Sequence, residues 1–154
     1  MRRFRSVYAA QQRPAAPNLL NRQFHVERMD RVWAGDITFV PTREGWLYLA
    51  VLLDLYSRRV VGWAMSGKMN QALVNDALLM AIQHRQPKPG LIHHTDRGIV
   101  YATASYNAIL AHHGMTPSMS RKGDCYDNAV VESFFANLKN ELTWHRRFPT
   151  RDEA

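Results

Sequence analysis

Asp36, Asp96 and Glu132 are acidic side chains set into, or at the ends of, stretches that read as regular structure, and Lys139 follows Glu132 by seven residues. Carboxylate oxygens are hard donors that suit a divalent cation. A carboxylate and an ammonium on one side of a packed helix could hold such a cation and steady a phosphate. Each residue also has an ordinary reading. Asp36 could be an aspartate paired with a nearby Lys or Arg, and Glu132 and Lys139 could be solvated helix residues.

The elements that carry these residues follow from periodicity. From Val32, the residues Trp33, Gly35, Ile37 and Phe39 alternate with Ala34, Asp36, Thr38 and Val40, which reads as a strand that Pro41 stops. Asp36 is then in mid-strand, on the face opposite Ile37 and Phe39. After a tight turn at Thr42 to Gly45, Trp46 to Asp54 is a continuous apolar strand, and Ser57-Arg58 turns the chain into a third, Arg59 to Met65. Asn70 to about Arg85 reads as a helix with Leu73, Val74, Ala77, Leu78, Ala81 and Ile82 as its stripe, ended by Pro87-Lys88-Pro89-Gly90. Leu91 to Thr95 is a short strand delivering Asp96 at its carboxyl end, the end where ligands collect in α/β sheets. Gly98 would allow close backbone approach. A helix from roughly Thr103 to His113, closed by Gly114, precedes a fifth strand, Met115 to Met119. The loop Ser120-Arg121-Lys122-Gly123-Asp124 leads to a last helix with Asp127 or Asn128 as cap. Its apolar stripe is Val131, Phe134, Phe135, Leu138 and Leu142. Strand, strand, strand, helix, strand, helix, strand, helix is a mixed α/β sheet with helices on its faces.

The 154 residues are one domain's worth of chain. The apolar run from Trp46 to Leu53 is too short to span a bilayer, no secretory signal is evident, and the single Cys125 suits a reducing compartment, so a cytoplasmic location is expected. A net charge of +7 favours a polyanionic partner. That charge is uneven: residues 1–31 carry seven Arg against Glu27 and Asp30, and Arg146, Arg147 and Arg151 form a second group. No basic amphipathic helix with bulky apolar anchors supports a membrane surface as the partner. Residues 1–28 read as a basic arm or linker and residues 29–154 as the folded core.

The element order resembles the ribonuclease-H-like fold, a mixed five-stranded sheet whose first three strands are antiparallel. Four motifs sharpen the resemblance: Trp33-Ala34-Gly35-Asp36-Ile37-Thr38, Leu53-Asp54-Leu55-Tyr56-Ser57-Arg58, His94-Thr95-Asp96-Arg97-Gly98, and Asp127-Asn128-Ala129-Val130-Val131-Glu132-Ser133-Phe134-Phe135. In this order, with 35 residues between Asp96 and Glu132, they resemble the retroviral-type integrase catalytic core, and more narrowly the DDE transposases of bacterial insertion sequences. The match begins near Pro17 and runs to the last residue.

In that fold the first and fourth strands are neighbours and the last helix packs across them, so the resemblance brings Asp36, Asp96 and Glu132 together as catalytic and metal-binding residues. Two carboxylates ~4 Å apart repel by about 4 kcal/mol at an effective dielectric near 20, and a shared divalent cation relieves this. The resemblance implies Mg²⁺, with Mn²⁺ able to substitute, and 3′-end cleavage followed by strand transfer to a second phosphodiester. It implies DNA as partner, both element ends and target, and a homo-oligomer. Lys139 matches a basic position facing DNA, and Arg121, Lys122 and Asn128 are expected to contact DNA beside it. Such transposases carry sequence on both sides of the core, so a core truncated at its C-terminal end is expected. The competing readings are a nuclease that hydrolyses without joining, and an inactive fragment that binds DNA or dimerises with a full transposase. His93 and His94 are candidates to touch a phosphate or buttress Asp96; a zinc site is disfavoured because adjacent strand residues face opposite ways and Cys125 has no partner cysteine.

Overall fold

The computed structural model describes residues 15–19, 26–120, 129–143 and 146–154. Strands β1 (Val32–Thr42), β2 (Gly45–Asp54), β3 (Val60–Ser66), β4 (Ile92–Thr95) and β5 (Thr116–Met119) form one sheet in the order β3-β2-β1-β4-β5. The pairs β1·β2 and β2·β3 are antiparallel, whereas β1·β4 and β4·β5 are parallel. Helices α1 (Gln71–Arg85) and α2 (Ala104–His112) pack on one face, and α3 (Ala129–Leu138) crosses β1 on the other. This is the architecture expected from the sequence.

Strand alternation divides the core in two. Trp33, Ala50, Leu52 and Val61 face α1 and α2, where they meet Leu73, Val74, Ala77, Leu78, Ala81, Ile82, Tyr106 and Leu110. Val32, Ala34, Val51 and Leu53 face α3 and bury Val131 and Phe135. The predicted stripe of α1 is its buried face without exception. Asn70 caps that helix by accepting the Leu73 N–H at 3.1 Å. Its end comes at Gln86, whose left-handed backbone (φ 45°) lets its N–H reach the Ile82 carbonyl before Pro87 is met. Thr103 caps α2 in the same way as Asn70 caps α1, and Gly114 follows at φ 66°.

Two expectations need correction. Pro41 does not stop the first strand, which continues to Thr42 opposite Gly45. β4 pairs with β1 only over Val32–Ala34, so at Pro41 that edge has no ladder bond to lose. Leu142 is not a core residue either: it is 52% exposed. The α-helical winding ends at Leu138, and Lys139–Thr143 is wound as a π-helix. The wider turn carries Leu142 off the stripe that Val131 and Phe135 begin.

Helix α1 and strand β3 approach so closely that a Cβ on Gly62 would lie 2.3 Å from the Ala77 carbonyl oxygen and 2.7 Å from the Ala81 Cβ. Backbone cannot give way there as a flexible side chain could. Gly62→Ala is expected to lower stability by about 1–3 kcal/mol, read as a reduced urea midpoint; an unchanged midpoint would show that α1 is free to shift.

Candidate active site

The parallel pairing of β1 with β4 sets the geometry. Its register matches Ala34 with His94. Two residues beyond that pair stand Asp36, still within β1, and Asp96, just past the end of β4, so the register carries both to the same end of the sheet. Asp36 is half-buried and accepts the N–H of Ile37 at 2.8 Å. Asp96, also half-buried, leaves the sheet just after Thr95 and accepts the Gly98 N–H at 2.7 Å. A Cβ on Gly98 would stand 2.8 Å from that same Asp96 oxygen, so glycine is what allows the loop to fold back on its own carboxylate.

Glu132 stands in the first turn of α3, one residue beyond the fully buried Val131, and is exposed. Partial desolvation and the nearby Asp96 carboxylate hold its carboxyl above the ordinary carboxylate range. Asp96 and Glu132 therefore feel one another across the space between β4 and α3. Among the described residues, however, no three His, Cys, Asp or Glu side chains are close enough to share one ion. The three carboxylates gather at one end of the sheet without closing into a ligand set.

Lys139 begins the π-wound turn and rests its ammonium 5.1 Å from the centre of the Phe39 ring. Arg121, Lys122 and Asn128, together with the cap expected at Asp127 or Asn128, lie outside the described residues. So do Cys125, Tyr126 and Trp144.

The two histidines are not phosphate ligands: His93 is 1% and His94 0% exposed. His93 bridges the Trp33 carbonyl (3.3 Å) and the Tyr106 hydroxyl. His94 takes Ser118 Oγ on one nitrogen at 2.8 Å and Ser120 Oγ on the other at 3.3 Å. The Ser118 Oγ also accepts the Leu19 N–H at 2.8 Å, and Met119 N–H reaches the Pro17 carbonyl, so residues 17–19 lie along β5. Both rings thus fix β4, the strand that leads to Asp96, as buried polar groups with partners.

One residue beside the carboxylates, Tyr101, and one at the far end of β1, Asp54, have contacts that the sequence did not assign. Tyr101 is 4% exposed and packs edge-on against Tyr106 at 5.4 Å; burial first, then Tyr106 and the Asp36 and Asp96 carboxylates, push its phenol up. Asp54, 0% exposed, accepts the Asp30 N–H, the Ser57 N–H and the Ser57 hydroxyl at 2.8–2.9 Å. An aspartate three residues before a serine at the end of an apolar strand is the available signal for that turn. Tyr101 gives none, since nothing local distinguishes it from a core aromatic.

Residues 26–125 match the integrase core domain family. That is more than half of the chain, and the chain belongs to this family. Within the family its relatives are insertion-sequence proteins. Over 141 residues it is 50% identical to an uncharacterised 31 kDa protein of insertion element IS600 from Shigella sonnei, covering 92% of this chain and 52% of that one. It is 49% identical over 152 residues to the transposase InsF of insertion sequence IS3A from Escherichia coli K12, covering 98% of this chain and 53% of the relative. The chain thus spans about half the length of these relatives. The HTLV-2 integrase catalytic core, solved as a dimeric form in complex with magnesium, shares the fold with a TM-score of 0.62 at 20% identity, over 76% of this chain and 72% of that one.

The burial of His93 has a pH consequence. Desolvation lowers its pKa from 6.5 to about 4, so the folded state holds it neutral. A group depressed in this way contributes stability that is whole above 6.5 and is lost as pH falls from there towards 4. The span corresponds to about 3 kcal/mol. His93→Gln should unfold more readily at pH 7 but show a flatter stability profile between pH 6.5 and 4 than the unaltered chain; parallel profiles in urea titrations would mean that His93 does not titrate as its burial requires.

Proposed function

We propose that this chain is the catalytic core of a DDE transposase, cutting DNA at a 3′ end with water and joining the freed 3′-hydroxyl to a second phosphodiester. The supporting observation is that the parallel pairing of β1 with β4 carries Asp36 and Asp96 to the same end of the sheet, with Glu132 on α3 in electrostatic reach of Asp96. Acidic groups gathered in one region raise the cost of keeping one another ionised, and a cation relieves it.

The donor chemistry fits Mg²⁺ or Mn²⁺: three carboxylates, hard and anionic, with Glu132 exposed enough to close on an ion. A divalent ion, when bound, activates an attacking oxygen and stabilises a leaving one in an in-line displacement at phosphorus. Asp36 and Asp96 are the fixed donors, since a strand backbone holds the first and Gly98 braces the second. Glu132 is the adjustable one. Lys139 offers its ammonium to a phosphate by leaving the Phe39 ring, a step its four-carbon stem allows. Arg121, Lys122 and Asn128 contact the DNA backbone on the sequence's evidence alone. Element ends and target DNA are the substrates, and a second copy of the chain is the expected partner in the working complex.

Asp36→Asn, Asp96→Asn and Glu132→Gln are each expected to abolish Mg²⁺-dependent strand cleavage and joining while leaving the melting curve within a few degrees of the unaltered chain. Assays on pre-nicked DNA separate the chemistry: joined products support a transferase, hydrolysis alone a nuclease. Near-normal activity in any of the three variants removes that residue from the mechanism.

A further inference from the structure

The end of β4 opposite Asp96 opens on a hollow of about 420 Å³ whose walls carry Arg28, Arg31, Arg85 and Lys88 against one carboxylate, Asp30. That carboxylate is already saturated. Arg85 forks onto it, Nε to Oδ1 at 3.0 Å and Nη2 to Oδ2 at 2.8 Å, and the Trp33 indole N–H adds a third bond at 3.1 Å. Arg28, Arg31 and Lys88 are exposed, and among the described residues none of them has a carboxylate within salt-bridge distance. Glu27 belongs to the same turn but not to the lining of the hollow.

The three cations are held on stiff backbone. Asp30 takes a left-handed conformation (φ 57°) and gives its N–H to the buried Asp54, fixing the turn between Arg28 and Arg31. The Arg31 carbonyl accepts the Ile92 N–H at 2.9 Å, which ties it to the sheet. Lys88 stands between Pro87 and Pro89, whose rings lock their own torsions. Charges presented this way lose little freedom on meeting a partner. A protein partner would ask for an apolar centre, and the one large exposed apolar side chain in the lining is Met29.

We infer that this hollow is a second contact for a DNA phosphate backbone, separate from the carboxylates. From Ile92 to Asp96 the strand advances about 13 Å at about 3.3 Å per residue. The hollow grips phosphates away from the reacting one and reads no sequence. It rests on the reading of DNA as the substrate but not on the chemistry of the three acids.

Binding of a 30-base-pair duplex in EDTA, followed by fluorescence anisotropy between about 50 and 200 mM salt, tests it. The variant Arg28→Gln/Arg31→Gln/Lys88→Gln should lower the slope of log affinity against log salt by about two to three, at about 0.9 for each phosphate no longer neutralised. The control Arg43→Gln/Arg59→Gln/Lys68→Gln removes the same charge from exposed positions elsewhere and should change the slope by less than one. Circular dichroism melts confirm that both variants fold. Equal reductions in the two variants, or an unchanged slope in the first, overturn the inference, the latter leaving an acidic protein surface as the occupant. No binding by the unaltered chain overturns it together with the DNA reading, whereas binding with a dead carboxylate site leaves it standing.

Discussion

Everything of chemical interest depends on three residue pairs: the parallel ladder of Val32–Ala34 with Ile92–His94. Parallel pairs are slightly less stable per residue than antiparallel ones, and this one is short. Its reinforcement comes from side chains. His93 spans from the Trp33 carbonyl on β1 to the Tyr106 hydroxyl on α2, so a single imidazole links both strands of the ladder to the helix above them. On the far side of β4, His94 locks onto two serines of the neighbouring segment. The buried imidazoles brace the register, and the register carries Asp36 and Asp96 to the same end of the sheet.

The two cores are matched to different tasks. The face under α1 and α2 is broad, and α1 presses against β3 closely enough to require Gly62. The face under α3 is narrower, held chiefly by Val131 and Phe135. The helix carrying Glu132 is therefore the lighter-anchored of the large elements, while the strands carrying the two aspartates sit in the dense part of the fold. That division matches the proposed roles of Asp36 and Asp96 as fixed donors and of Glu132 as the movable one.

Much of this was legible in the sequence because it is written in local pattern. The stripe of α1, its Asn70 cap, the turn at Ser57-Arg58 and the glycine after Asp96 each have a short-range physical cause, and each stands where the pattern put it. What escaped was set by tertiary context. Pro41 stays in its strand because β4 ends early, and Leu142 turns outward because the helix widens after Leu138. The histidines invited a ligand reading because a sequence cannot show that both rings are enclosed. Tyr101 escaped for the converse reason, as its place beside two carboxylates depends on a loop folding back through Gly98.

The brevity of the β1·β4 ladder has one more effect. Beyond Ala34 the two strands part, and the sheet forks where the aspartates stand. A ladder two residues longer would have threaded Asp36 and Asp96 into continuous hydrogen-bonded fabric, where hydrated ions and phosphates have no path and an unpaired negative charge is costly. By letting the seam come undone at that height, the fold keeps its acidic pair rigid from below and wet from above.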